Sequence, residues 1–162
     1  MVFLLAAIVF SGNILLAKEN KREQRKAREK EQIEEIAKLV EGKKLTFVAQ
    51  FAHPTGGKLI SLTPEYTLEI NDNFVSAYLP FYGRVYRADF SGSGGIKFKE
   101  QAQKTGWSMQ KKNYLVSMDV KVPDDSYQLW LSISETGSAS LTVSSVNKQS
   151  INFTGFVVKS KE

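Results

Sequence analysis

The chain contains no cysteine and a single histidine, His53. Those absences exclude disulfides, thiolate zinc sites, cysteine nucleophiles and any histidine-rich metal centre. Proline is scarce, at four residues, and dense single-sign charge is missing: Lys and Arg number 22 against 17 Asp and Glu, a formal net charge of +5. A nucleic-acid binder concentrates basic residues on one face with aromatics between them. Here Lys18–Lys44 holds ten basic and seven acidic residues, and the remainder holds twelve and ten. Glu19, Glu23, Glu29 and Glu31 interrupt the basic run and would repel phosphate, so no nucleic-acid partner is expected. The hydrophobic fraction of 42% over 162 residues fits one ordinary globular body.

An apolar run does stand at the start. Val2–Phe10 is unbroken, Ser11-Gly12-Asn13 interrupts it, and Ile14–Ala17 resumes it. That outline is signal-like, with Ala17 as the candidate last residue before cleavage, and it is shorter than the roughly 20 apolar residues of a bilayer span. Two features oppose export: no Lys or Arg precedes the run, and Lys18, Lys21, Arg22 and Arg25 follow it closely. Residues 1–17 are expected to be a signal-like or anchor segment and the sole point of membrane association.

Residues 18–41 read as a charged helix. They lack Pro and Gly and are rich in good helix formers. Ile33, Ile36, Ala37 and Val40 make an apolar stripe in its second half, so that half should dock while the first half stays solvated. Gly42 stands where a C-terminal cap belongs.

From residue 42 to 162 the period changes to two. Tyr66, Leu68 and Ile70 alternate with polar residues, Asn71-Asp72-Asn73 turns the chain, and Phe74–Leu79 returns, which predicts a hairpin. Tyr114–Val122, Tyr127–Ser134, the strand through Leu141 and Val143, and Ile151–Val158 follow, joined by short turns. Short connections require antiparallel pairing. The expectation is a mainly β chain: an antiparallel β-sandwich or incomplete barrel with one N-terminal helix. Ten Phe, six Tyr and two Trp supply its core.

Nothing in the sequence assembles a catalytic constellation. His53 sits in a loop before Pro54, and Ser91-Gly92-Ser93-Gly94-Gly95 lacks the Gly-Lys-Ser/Thr ending of a phosphate loop. Asp124 and Asp125 lack a third acidic neighbour and make a poor calcium loop. Neither a metal nor a cofactor is expected. The densest segment is Tyr78–Arg87, where Tyr78, Tyr82, Arg84 and Tyr86 precede Arg87. Arginine forks and aromatic faces suit an anionic or ring-bearing ligand, while core packing with arginine stems over apolar surface is the plainer use. Trp107 is expected to close the core from a loop. Trp130 breaks its strand's alternation on the polar side and marks a second candidate binding surface.

Gly42–Gln50, Thr63–Leu68 and Val75–Arg84, above all Leu79-Pro80-Phe81-Tyr82-Gly83-Arg84, resemble a family of uncharacterised Bacteroidetes envelope proteins built on a domain of unknown function. The resemblance spans most of Ile33–Lys159 and implies a β-rich, exported or lipid-anchored protein, with no activity to transfer. Asn13 stands where a lipidated Cys would be. The expected function is therefore a non-catalytic protein of the periplasm or cell envelope that binds a small apolar or amphipathic ligand. An interaction module of the envelope, using an open sheet edge or the charged arm, comes second, and a hydrolase using His53 comes last.

Overall fold

A computed structural model describes residues 6–87 and 94–160, with side chains from Lys21 onward. Ser91–Ser93 of the glycine-rich segment and the side chains of the signal-like run lie outside the described residues. Among the described residues, no helix is long and apolar enough to cross a membrane.

Helix α1 runs from Ala6 to Glu41. At 1.5 Å per residue it is about 54 Å long. Side chains from Lys21 to Gln32 are exposed, as expected of residues with no apolar face. Docking begins where the stripe begins. Gln32 Nε2 donates to the Thr136 carbonyl at 2.8 Å, and Ile36 is 4% exposed. The helix ends differently from expectation. The Gly42 N–H still bonds the Lys38 carbonyl, and it is Lys43, at φ 50°, that takes the left-handed turn. The Lys43 carbonyl then accepts the N–H of Asp72, and Lys43 Nζ lies 3.7 Å from the Asp72 carboxylate, so these contacts help hold the left-handed residue.

Nine strands follow: β1 (Lys44–Pro54), β2 (Ile60–Ser61), β3 (Thr67–Asn71), β4 (Phe74–Pro80), β5 (Gly95–Gln110), β6 (Asn113–Val122), β7 (Asp125–Ser134), β8 (Ser138–Ser145) and β9 (Ile151–Val158). All pair antiparallel in the order β2-β1-β3-β4-β5-β6-β7-β8-β9, and β9 pairs again with β1. That last pairing decides the architecture. It runs from Thr46↔Val158 to Pro54↔Ile151 and closes eight strands into a barrel, with β2 as a short flap beside the far end of β1. The sandwich expectation is thereby corrected, and the barrel is closed rather than incomplete. The physical reason is that one bent β1 serves two neighbours on one side, β3 before its bulge and β2 after it, while β9 follows its other side throughout.

Alternation places one face of each strand inside. Phe47 and Phe153 are fully buried beside Leu45, Leu68, Leu129 and Leu141. An eight-stranded barrel has an interior about wide enough for its side chains to fill. These side chains form a core rather than the lining of a lumen. Trp107 is corrected as well: it lies in β5, paired with Val116 on the inward-facing side, and not in a loop. The expected turns at Asp72 (φ 56°) and Gly137 (φ 86°) carry the positive φ they need.

Candidate functional site

The strands deal the six candidate residues to three places. Tyr78 points outward from β4 and stacks on Tyr66, with ring centroids 5.5 Å apart and planes 15° apart. Lys97 Nζ sits 4.9 Å from the Tyr78 ring centre. Desolvation pushes the Tyr66 phenol above its usual range, with further upward contributions from Tyr82, Glu65 and Tyr78, so Tyr82 belongs to this cluster.

The chain then leaves β4 and crosses the end of the barrel. The Gln149 N–H donates to the Arg84 carbonyl at 2.9 Å, the Tyr86 N–H donates to the Asn147 carbonyl at 2.7 Å, and Val85 forms a bridge with Lys148. Arg84, Tyr86 and Arg87 are therefore fixed by their backbones on a strap tied to the β8–β9 turn, and their side chains are exposed. The third place is Trp130, three strands away from Tyr78 around the ring.

Beneath the strap lies a buried polar cluster that sequence reasoning missed. Lys148 Nζ donates to the Tyr127 hydroxyl at 3.0 Å and lies 3.8 Å from the Asp125 carboxylate. Asp125 also accepts from the Ser145 hydroxyl at 2.6 Å and from the Ser126 N–H at 2.8 Å. Tyr127 stacks on Phe98 inside the barrel. A signal was present. Asp125 is two residues before Tyr127, on the parity that points inward along β7. These contacts pin two turns and the strap together. They leave the carboxylate and ammonium satisfied within the fold, an arrangement suited to holding structure.

The Trp130 wall has the shape of a binding surface. Trp130 sits on the outer face of β7 between Ser117 of β6 and Thr142 of β8, and Gly106 of β5 faces Ser117 one strand further on. The next row holds Ser108, Leu115, Ser132 and Ser140. Small neighbours leave the large indole standing above them, 44% exposed, beside an open groove of about 490 Å³. Among the described residues, no ionisable side chain lines this groove. A flat apolar ring bordered by hydroxyls offers dispersion to a ligand's C–H face and hydrogen bonds to its polar rim. Two smaller grooves, also outside the barrel, are lined by Ile36, Leu39 and Phe156 (about 330 Å³) and by Phe51, Leu62 and Phe156 (about 290 Å³).

Elsewhere the chemistry is sparse. His53 Nε2 lies 3.0 Å from the Thr154 hydroxyl in an exposed setting. Among the described residues, no three His, Asp or Glu side chains gather at one point.

A family model described as a domain of unknown function, DUF4251, matches residues 27–157. No curated protein matches the sequence. Among solved structures, the chain is similar to the crystal structure of a DUF4251 family protein from Bacteroides eggerthii DSM 20697. The two are 16% identical with a TM-score of 0.66, over 82% of this chain and 91% of that one. At that identity the likeness speaks to the fold.

Proposed function

This chain belongs to the DUF4251 family, a domain of unknown function, and on that footing we propose that it is a non-catalytic binding protein of the cell envelope. Its ligand is small and amphipathic and rests on the outer wall over Trp130. The observation that carries this reading is the groove of about 490 Å³ beside a half-exposed indole with hydroxyl neighbours and no charge. Ligand sites typically measure about 300–1,000 Å³ and combine an apolar surface with a few placed polar groups. The packed interior speaks against storing a wholly apolar ligand along the barrel axis, so an amphipathic one is preferred.

The envelope location rests on the signal-like outline of residues 1–17. N-terminal sequencing of the native protein from fractionated cells tests it. A cytoplasmic chain beginning at Met1 would count against it.

The ligand reading is tested with monomeric octyl glucoside, a neutral amphiphile, titrated against tryptophan fluorescence. The wild type should respond saturably, and Trp130→Ala should lose the response. Equal responses from both proteins would reject the Trp130 site. A second role, as an interaction module, is favoured by the unpaired edge of β5.

A further inference from the structure

We propose that the free edge of β5 pairs with the same edge of a second copy of this chain, forming a closed two-fold dimer. This goes beyond ligand binding and stands independently of it. The ladder between β4 and β5 ends at Phe74↔Gln101, and one further bond runs from the Ala102 N–H to the Asn73 carbonyl at 2.7 Å. From Lys104 to Gln110, β5 pairs with β6 alone. Among the described residues nothing pairs with its other side, and from Gln103 to Gln110 all residues but Trp107 are exposed. Backbone N–H and C=O groups along such an edge are a template for another strand.

The sequence of the edge selects the occupant. A two-fold axis perpendicular to the sheet brings like faces together, so each residue meets one of its own parity. Centred on Trp107, this register sets Thr105 opposite the second copy's Met109, and Trp107 meets its own counterpart. The inward-side residues then form one row, covering Met109, which is 58% exposed in the single chain. Gly106 meets Ser108, and Lys104 meets Gln110.

Lysines on an edge normally discourage pairing. Here no lysine faces a lysine. Lys111 and Lys112 instead reach the second copy's Gln103 and Ala102, beside its β3–β4 turn. Asp72 stands on that turn with its side chain 72% exposed, 3.7 Å from Lys43 Nζ. Lys112 already pairs with Glu135 of its own chain at 3.6 Å, so it is Lys111 that brings positive charge to the second copy's Asp72, once at each end of the shared ladder. The contact is isologous and closes at two copies. Gly106 and Ser108 also line the Trp130 groove, so the dimer sets two grooves side by side across the axis.

Sedimentation equilibrium of the full chain tests this. The wild type is expected to be a dimer. The T105E/M109E variant places like charges opposite each other twice and should weaken association at least about tenfold. An equimolar mixture with T105K/M109K should restore the dimer, because each Glu then faces a Lys. The native chain lacks cysteine, so oxidising a mixture of T105C and M109C chains gives a second measurement should the charged variants misfold. A cross-linked pair is expected. A wild type that is monomeric at about 100 µM overturns the proposal, whether its edge stays bare or takes a strand from another protein. So does a dimer indifferent to both charge pairs and yielding no cross-link.

Discussion

The carbonyl oxygen of Val48 occupies the space that a Cβ on residue 155 would need. Val48 precedes the β1 bulge, and Gly155 pairs with Ala49 in the ladder that closes the barrel. The side chain missing at 155 is what lets β9 follow a bent β1. Neither backbone can yield easily, since β1 also bonds β3 on its other side. Gly155→Ala should therefore lower stability by about 2–3 kcal/mol, the upper range for overpacking. A urea melt would show this as an earlier midpoint, and an unchanged midpoint would mean that the closing seam is looser than its geometry.

The buried pair under the strap predicts a second pattern. Lys148→Met leaves the Asp125 carboxylate inside the protein without the ammonium 3.8 Å away. Removing one partner of a buried pair typically costs about 3–5 kcal/mol, much of it the uncompensated charge left behind. Adding Asp125→Asn removes that charge while preserving an acceptor for the Ser145 hydroxyl. The double variant should be more stable than Lys148→Met alone, with a coupling of about 1 kcal/mol or more by denaturant melts. Strict additivity would show that the pair does not act as a unit.

These two sites also mark where the sequence is legible. Hairpin β3–β4 and strands β6 to β9 can be read because their inward faces are apolar at every second position and their turns carry Asn, Asp or Gly. Strand β5 cannot. Past the bulge between Ala102 and Lys104, its residues are almost all exposed on both faces, so the alternation fades. Barrel closure is likewise illegible, because β1 and β9 pair residues 97 to 112 positions apart and Gly155 looks like any strand glycine. Trp130 could be flagged, since a large aromatic on a polar face breaks the period. The grouping of Tyr78 with Arg84 and Arg87 came from nearness in sequence, and the strap carries the arginines away from the tyrosine wall. Lys148 gives no alarm, because charged residues in turns are ordinarily solvated, and the inward parity of Asp125 on β7 is the one clue to the pair.

Docking of the helix rests on a narrow contact. Ile36 packs where a Cβ on Gly137 would collide with its Cδ1 atom, and Gln32 holds the Thr136 carbonyl. Everything from Lys21 to Gln32 is exposed. Brief trypsin treatment should cut first between Lys21 and Lys30 and spare the barrel. Ile36→Asp puts a charge into the contact and should extend early cleavage to Lys38, while the barrel's own fragment persists. A wild type already cut at Lys38 as fast as at Arg25 would mean that the second half of the helix is not held.

The two tryptophans should report separate environments. Trp130 stands outside the wall, 44% exposed, whereas the Trp107 indole points inward and its Nε1 is buried with no hydrogen-bond partner among the described residues. An exposed indole emits at longer wavelength and meets quencher freely. Trp130→Phe should shift the emission to the blue and remove most of the acrylamide-accessible signal. Its stability should stay within about 0.5 kcal/mol of wild type, as for most surface changes. Trp107→Phe should do the reverse to the spectrum. Its stability cost should also be small, because an unpartnered buried donor carries a penalty of about 1–3 kcal/mol that the phenyl ring does not. That gain offsets the apolar area lost with the smaller ring. If Trp107→Phe instead destabilised the protein by several kcal/mol, the indole N–H would have to be bonded in solution.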